Sequence, residues 1–238
     1  GDEHVTAVKD ATITVPEQSI TIIYGASGSG KSSLLNVLSG LQPPTKGTLY
    51  YKQEAIYDKP TNALAYFRAH ELGIVYQTNY WVKSLSVLEN VSLPLYFSGY
   101  TKPQAHELAK KALNRVGMAD YINKHPALLS GGEQQRIAMA RALVNDPPVI
   151  IADEPTGNLD SKNGDMIINL LTDLHKNEGK TIILVTHNME YLTIGDHLLE
   201  VEDGKVTEIN QKDIPSTVES IIQATQDRMH TLMKGTKS

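Results

Sequence analysis

Short apolar runs alternate along the chain with segments of helical period, and turn residues separate them. Residues 20–24 (ITIIY) form a continuous apolar run that ends at glycine, the mark of a strand buried on both faces. Runs at 149–152 and 181–185 read the same way. Shorter strands are expected at 47–51, after the Pro43-Pro44 turn, at 74–76, and at 197–202 and 205–209 around Asp203-Gly204. Residues 5–15 (VTAVKDATITV) roughly alternate and predict an edge or hairpin strand. Helical patterns fall at 31–39, 61–70, 86–97, 103–116, 132–144 and 162–176. A further helix over 214–233 would align Val218, Ile221, Ile222, Met229 and Met233 on one stripe. Strands cluster at both ends of the sequence and helices between about 61 and 145, so the order predicts an α/β nucleotide-binding core with a mainly helical insertion.

Composition narrows the setting. With 238 residues, 40% hydrophobic and 21% charged, the chain can bury a sizeable core. A net charge of -5 argues against a general affinity for nucleic acid, which draws on surplus Lys and Arg. The absence of cysteine excludes disulfides and thiolate metal sites and fits a cytosolic setting. No stretch approaches the roughly 20 apolar residues that span a bilayer, and no signal peptide is visible. If the protein works at a membrane, another chain is expected to supply the spanning helices.

The strongest chemical signal is Gly25-Ala26-Ser27-Gly28-Ser29-Gly30-Lys31-Ser32, which fits G-x-x-x-x-G-K-[ST]. At ordinary residue usage this pattern arises by chance at roughly one position in 30,000, and here a buried strand precedes it and a helix follows. Glycines let successive N–H groups curl toward a phosphate, and the helix start adds its positive dipole end. Lys31 is placed to supply charge to the β- and γ-phosphates, and the Ser32 hydroxyl to coordinate Mg²⁺. Ser33 continues the same first helical turn.

The apolar strand at 149–152 runs into Asp153-Glu154. Ligands of open α/β sheets sit at the carboxyl ends of strands, and neighbouring strand residues point in opposite directions. The two carboxylates can therefore divide the work: Asp153 for the Mg²⁺ shell and Glu154 to polarise the attacking water. A second glycine turn, Leu129-Ser130-Gly131-Gly132-Glu133-Gln134-Gln135-Arg136, opens another helix and makes a second anion-ready N-terminus. One chain has one phosphate loop, so this turn is expected to cap a nucleotide held by a second copy in a head-to-tail, twofold dimer.

On these motifs the chain resembles the nucleotide-binding subunits of ABC transporters, whose signature is LSGGEQQR. The likeness runs over about residues 5–209. It implies a P-loop NTPase core with an antiparallel β subdomain and a helical subdomain. The expected layout is an ATPase domain over 1–209, the helical part at about 78–145, and a C-terminal helical extension over 210–238. It also implies roles by position. Gln77 matches the glutamine loop and would sense Mg²⁺ and the attacking water. Ser130 and Gly132 would contact the partner's γ-phosphate, and Gly131 would belong to the same nucleotide-binding turn. Asp160, in Gly157-Asn158-Leu159-Asp160, would communicate across the dimer, and His187 would hold the γ-phosphate and position water. ATP and Mg²⁺ are the implied cofactors. A second copy and a polytopic membrane permease are the implied partners, with the subunit peripheral on the cytoplasmic face of the membrane.

Asn158-Leu159-Asp160 and Glu89-Asn90-Val91-Ser92-Leu93-Pro94-Leu95 are similar to the branch of lipoprotein-release, macrolide-export and antimicrobial-peptide-resistance ATPases. Trp81, the only Trp, lies in the stretch that in this family borders the groove for a partner helix, so it either anchors that interface or packs within the helical subdomain. The family stacks adenine on an aromatic just before the first strand. Residues 1–4 hold none, which leaves an upstream aromatic, or weaker packing by Val5 or another apolar side chain. Two other functions compete: a soluble non-transport ABC ATPase acting on nucleic acid or ribosomes, and a kinase or other P-loop enzyme. The first lacks coiled-coil arms, a second cassette and a basic footprint, and the second leaves the signature and His187 unexplained.

Overall fold

The apolar runs form the centre of a six-stranded sheet. The computed structural model describes residues 6–235, and in it β1 (Ile20–Tyr24), β4 (Leu72–Val75), β5 (Val149–Asp153), β6 (Thr181–Thr186), β7 (His197–Glu202) and β8 (Lys205–Ile209) pair in the order β4-β5-β6-β1-β7-β8. All neighbours are parallel except β7 and β8, which form a hairpin around Asp203-Gly204. Period-two alternation sorts each strand into two cores. Ile20, Ile22, Ile150, Ala152, Ile182, Leu184 and Leu198 face one layer, while Ile23, Ile151, Ile183, Val185, Leu199 and Val201 face the other.

Helices α1 (Lys31–Leu38) and α2 (Thr61–Glu71) cover the second face through Leu34, Leu35 and Phe67. The larger core takes α3 (Val87–Phe97), α4 (Lys102–Arg115), α5 (Gly131–Leu143) and α6 (Ser161–Glu178). α3, α4 and α5 pack on one another, and α5 also packs on β4. The Glu89–Leu95 motif works structurally: Ser86 and Glu89 close a capping box, and fully buried Asn90 ties down the preceding loop through bonds to Val82, Leu85 and Ser86. α7 (Ile214–Gly235) packs on the 3₁₀ segment Met189–Ile194, with Val218 buried and Ile221 and Ile222 partly so. Met229 and Met233, expected on the same stripe, have side chains outside the described residues, as does Val5 with its expected part in adenine packing.

Two sequence expectations fail in instructive ways. Residues 6–15 form no strand; Lys9 makes a single bridge to Lys205, and Asp10 turns the chain away at φ +41°. Val8 before the Asp10 turn and Ile13 and Val15 after it pack against the second core without ladder pairing. The strand expected over 47–51 shrinks to β2 (Tyr50–Tyr51), paired antiparallel with β3 (Glu54–Ala55) through a two-residue turn in which Lys52 and Gln53 both have positive φ. Lys-Gln is not a recognisable turn pair, so this hairpin was invisible in the sequence. Among the described residues no helix is long and apolar enough to cross a membrane.

Candidate nucleotide site

Sheet order builds the site. β4, β5, β6 and β1 are consecutive neighbours, so the segments leaving their carboxyl ends stand side by side. Those segments carry Gln77, Asp153-Glu154, His187 and the Gly25–Ser33 loop. The loop turns between β1 and α1 with Gly25, Gly28 and Gly30 all at positive φ. Gly30 caps α1, and no side chain occupies its N-terminus or adds an acidic group to its first turn. The first-turn N–H groups of Lys31, Ser32 and Ser33 have no acceptor within the helix and are available to an anion. Ser27 and Ser32 are exposed, and the buried Ser29 hydroxyl has no hydrogen-bond partner. Lys31 is buried, and its Nζ donates to the carbonyls of Gly25 at 2.9 Å and Ala26 at 2.7 Å. It is thus folded over the same loop whose N–H groups would receive a phosphate.

Glu154 is the focus of the second cluster. Its Oε2 accepts from Gln77 Nε2 at 3.2 Å and lies 3.2 Å from His187 Nδ1. Its separation from Asp153 does not come from strand alternation, as the sequence suggested. β5 ends at Asp153, and Glu154 is swung away by a left-handed backbone at φ +43°, held by Glu154 N to Val185 O and Gly157 N to Glu154 O. A non-glycine residue in that region is strained, and such strain gathers at functional sites. Burial, and then the Glu154 charge, push the Asp153 carboxyl above its usual range, while Lys31 opposes the shift. Among the described residues no group of three His, Cys, Asp or Glu could hold a metal alone. Ser32, Gln77 and Asp153 offer a hydroxyl, an amide oxygen and a carboxylate. This is a hard-oxygen set suited to Mg²⁺, which keeps waters and phosphate oxygens in its shell.

The signature turn is set apart from the loop. Ser130 caps α5 through a reciprocal box: its N and Oγ both donate to Glu133 Oε2 at 2.8 Å, and Glu133 N donates back to Ser130 Oγ at 3.4 Å. The Ser130 N–H bond, with help from Tyr121 and the Ser130 hydroxyl, holds the Glu133 carboxyl down at about 2. The Ser-x-x-Glu spacing of this box is visible in the sequence. Among the described residues no hydrogen bond or ion pair joins Ser130 to the Gly25–Ser33 loop. Asp160 caps α6, accepting from Asn163 N at 2.9 Å and Asn163 Nδ2 at 2.7 Å. Gly131 shares a cleft of about 250 Å³ with Gln77, Glu154 and Leu159.

Trp81 turns inward. Its Nε1 donates to Gln134 Oε1 at 2.9 Å, and the Arg141 guanidinium sits 4.5 Å over its ring, so it buttresses the helix behind the signature turn. Beside it lies a groove of about 280 Å³ whose lining includes Arg68, Tyr76, exposed Tyr80, Pro94 and Arg141. Arg141 donates to Asn79 O at 2.6 Å, and burial works against its charge.

Known proteins share this architecture. Residues 8–157 match the profile of the ABC transporter family. The ABC transporter ATP-binding protein MJ1508 of Methanocaldococcus jannaschii is 42% identical over 212 residues, covering 89% of this chain and 94% of that protein. The macrolide export ATP-binding/permease protein MacB of Bartonella henselae is 38% identical over 217 residues, covering 91% of this chain and 33% of MacB, so the chain spans a third of that protein's length. The dimeric structure of MJ0796, a bacterial ABC transporter cassette, superimposes with a TM-score of 0.82 at 37% identity, covering 89% of this chain and 93% of the cassette. A post-hydrolysis dimer of the same cassette, bound to ADP and Pi, gives 0.82 at 36% identity with the same coverage. The chain belongs to the ABC transporter family, as one of its ATP-binding components.

Proposed function

We propose that the chain hydrolyses ATP as one half of a head-to-tail dimer and transmits closure of that dimer to a membrane permease. The observation that carries this reading is the convergence of Gln77, Glu154 and His187 beside the phosphate loop, while Ser130 bonds only within its own turn. In this reading Lys31 leaves two neutral carbonyls for charged phosphate oxygens, an exchange of ordinary hydrogen bonds for charge-assisted ones. Mg²⁺ would be held by Ser32, Gln77 and Asp153 and would neutralise phosphate charge when bound. Glu154 polarises the attacking water: both observed contacts fall on Oε2, and among the described residues no hydrogen bond ends on Oε1. Gln77 and His187 fix the carboxylate, and His187 is exposed enough to meet the γ-phosphate. The second copy completes the site with Ser130, Gly131 and Gly132. The dimeric MJ0796 structures, one with ADP and Pi, support this arrangement.

The permease is proposed to insert a short helix into the Arg68–Arg141 groove, which would hold the subunit peripherally at the cytoplasmic face of the membrane. Support comes from the groove's exposed Tyr80 and from two guanidiniums with no carboxylate in the lining. Glu154→Gln tests the chemistry. Its amide cannot take a proton from water, so kcat is expected to fall by about 10²–10⁴-fold, while ATP still binds and the dimer accumulates. A variant with wild-type turnover would overturn the assignment.

A further inference from the structure

Gly132 raises a question that its backbone does not answer. Its φ is not positive, and it lies within α5, where alanine is the better residue. The nearest obstacle to a side chain there is Asn163. A Cβ at Gly132 would stand 2.6 Å from both Cγ and Oδ1 of Asn163, far inside contact distance. The Asn163 Nδ2 donates to Asp160 Oδ2 at 2.7 Å, and its backbone N–H donates to Asp160 Oδ1 at 2.9 Å. One residue therefore occupies both oxygens of Asp160 and rests directly on the signature turn. The neighbouring contact agrees: a Cβ at Gly131 would meet Leu159 Cδ2 at 3.6 Å and Asn158 O at 3.7 Å. The capping box that holds Ser130 uses Glu133 and does not involve Asn163. The helix start is thus secured independently of its placement against the Asn158–Asn163 segment.

We propose that Asn163 is a positioning residue that sets the distance between Asp160 and the Ser130–Gly132 turn, so that both elements reach the second copy as one rigid unit. This rests on the shared-site dimer proposed above. Removing the Asn163 side chain frees the turn to shift relative to Asp160 without disturbing the phosphate loop, which lies between β1 and α1, away from α6. The cost should appear when two copies close on ATP, not when one copy binds it.

The test compares Glu154→Gln with Glu154→Gln/Asn163→Ala in ATP and Mg²⁺ by sedimentation velocity. Monomer ATP affinity and nucleotide-free Tm are measured alongside. The expected result is an ATP-dependent dimer weakened by about tenfold, with monomer affinity and Tm unchanged. Because the three atoms nearest a Cβ at Gly132 all belong to Asn163, Gly132→Ala should lower Tm in the parent and lose most of that effect beside Asn163→Ala. If Glu154→Gln remains monomeric, the dimer reading fails and this inference falls with it. If it dimerises and the double variant dimerises equally well, only the role of Asn163 is refuted. A parallel loss of Tm and monomer affinity would reduce Asn163 to a structural residue and also overturn the proposal.

Discussion

Gly25 and Gly28 share a loop and a backbone restriction but not a neighbourhood, and alanine at each separates the two. Both have positive φ, +149° and +78°. A side chain in the left-handed region costs about 1–2 kcal/mol, and Gly28→Ala should cost little more, because nothing lies within 4 Å of its Cβ position. At Gly25 the Cβ would stand 2.1 Å from the Val201 carbonyl oxygen in β7. Normal contact is about 3.5 Å, so the strand or the loop has to move by more than 1 Å. Val201 is fully buried and its strand is paired on both sides, so it cannot move freely. Overpacking of this kind adds about 1–3 kcal/mol, for a total of about 2–5 kcal/mol. At about 2–4 °C per kcal/mol for a domain of this size, Gly28→Ala should lower Tm by roughly 2–8 °C and Gly25→Ala by roughly 4–20 °C. Nucleotide-free thermal unfolding of both variants, run side by side, gives the comparison. Equal Tm losses would refute the idea that β7, and not backbone strain alone, dictates glycine at position 25.

Two other outcomes follow from the site and its buttress. The Asp153 carboxyl is raised in the fold by burial and by Glu154, so its proton is favoured and must leave before a cation binds. Mg²⁺-dependent ATP binding should therefore strengthen as pH rises through the Asp153 pKa, which burial and Glu154 hold above the usual carboxylate range. Asp153→Asn should abolish that dependence in fluorescence titrations made with and without Mg²⁺, and an unchanged pH profile in the variant would exclude Asp153 from the metal shell. Trp81→Ala removes the hydrogen bond to Gln134 and the surface under Arg141. As a half-buried aromatic truncation it should cost about 3 kcal/mol and appear as a lower Tm in the isolated subunit, whereas a purely interfacial Trp would leave Tm unchanged.

The chain's own pattern determined a large part of this protein. The three apolar runs and the turn residues beside them specified the central strands, because a strand buried on both faces reads as a nearly continuous apolar run. The Gly25–Ser32 loop, the Ser130–Gly132 turn and the carboxylate pair stood out because each is continuous in sequence, and the loop's positive-φ glycines fall at the fixed spacing that such a curl needs. The 3.6-residue stripe of α7 announced a packed helix, and Val218, Ile221 and Ile222 do pack.

Only the tertiary structure decided what lies beside what. Gln77, Glu154 and His187 stand together because the sheet runs β4-β5-β6-β1, an order set by crossover connections and not by any local pattern. The left-handed turn at Glu154, the inward rotation of Trp81 and the contact of Asn163 with Gly132 depend on neighbours tens of residues away. The alternating residues 6–15 make the same point from the other side. Apolar positions record burial, but whether the backbone then finds a ladder partner depends on which strand edge the folded sheet leaves within reach.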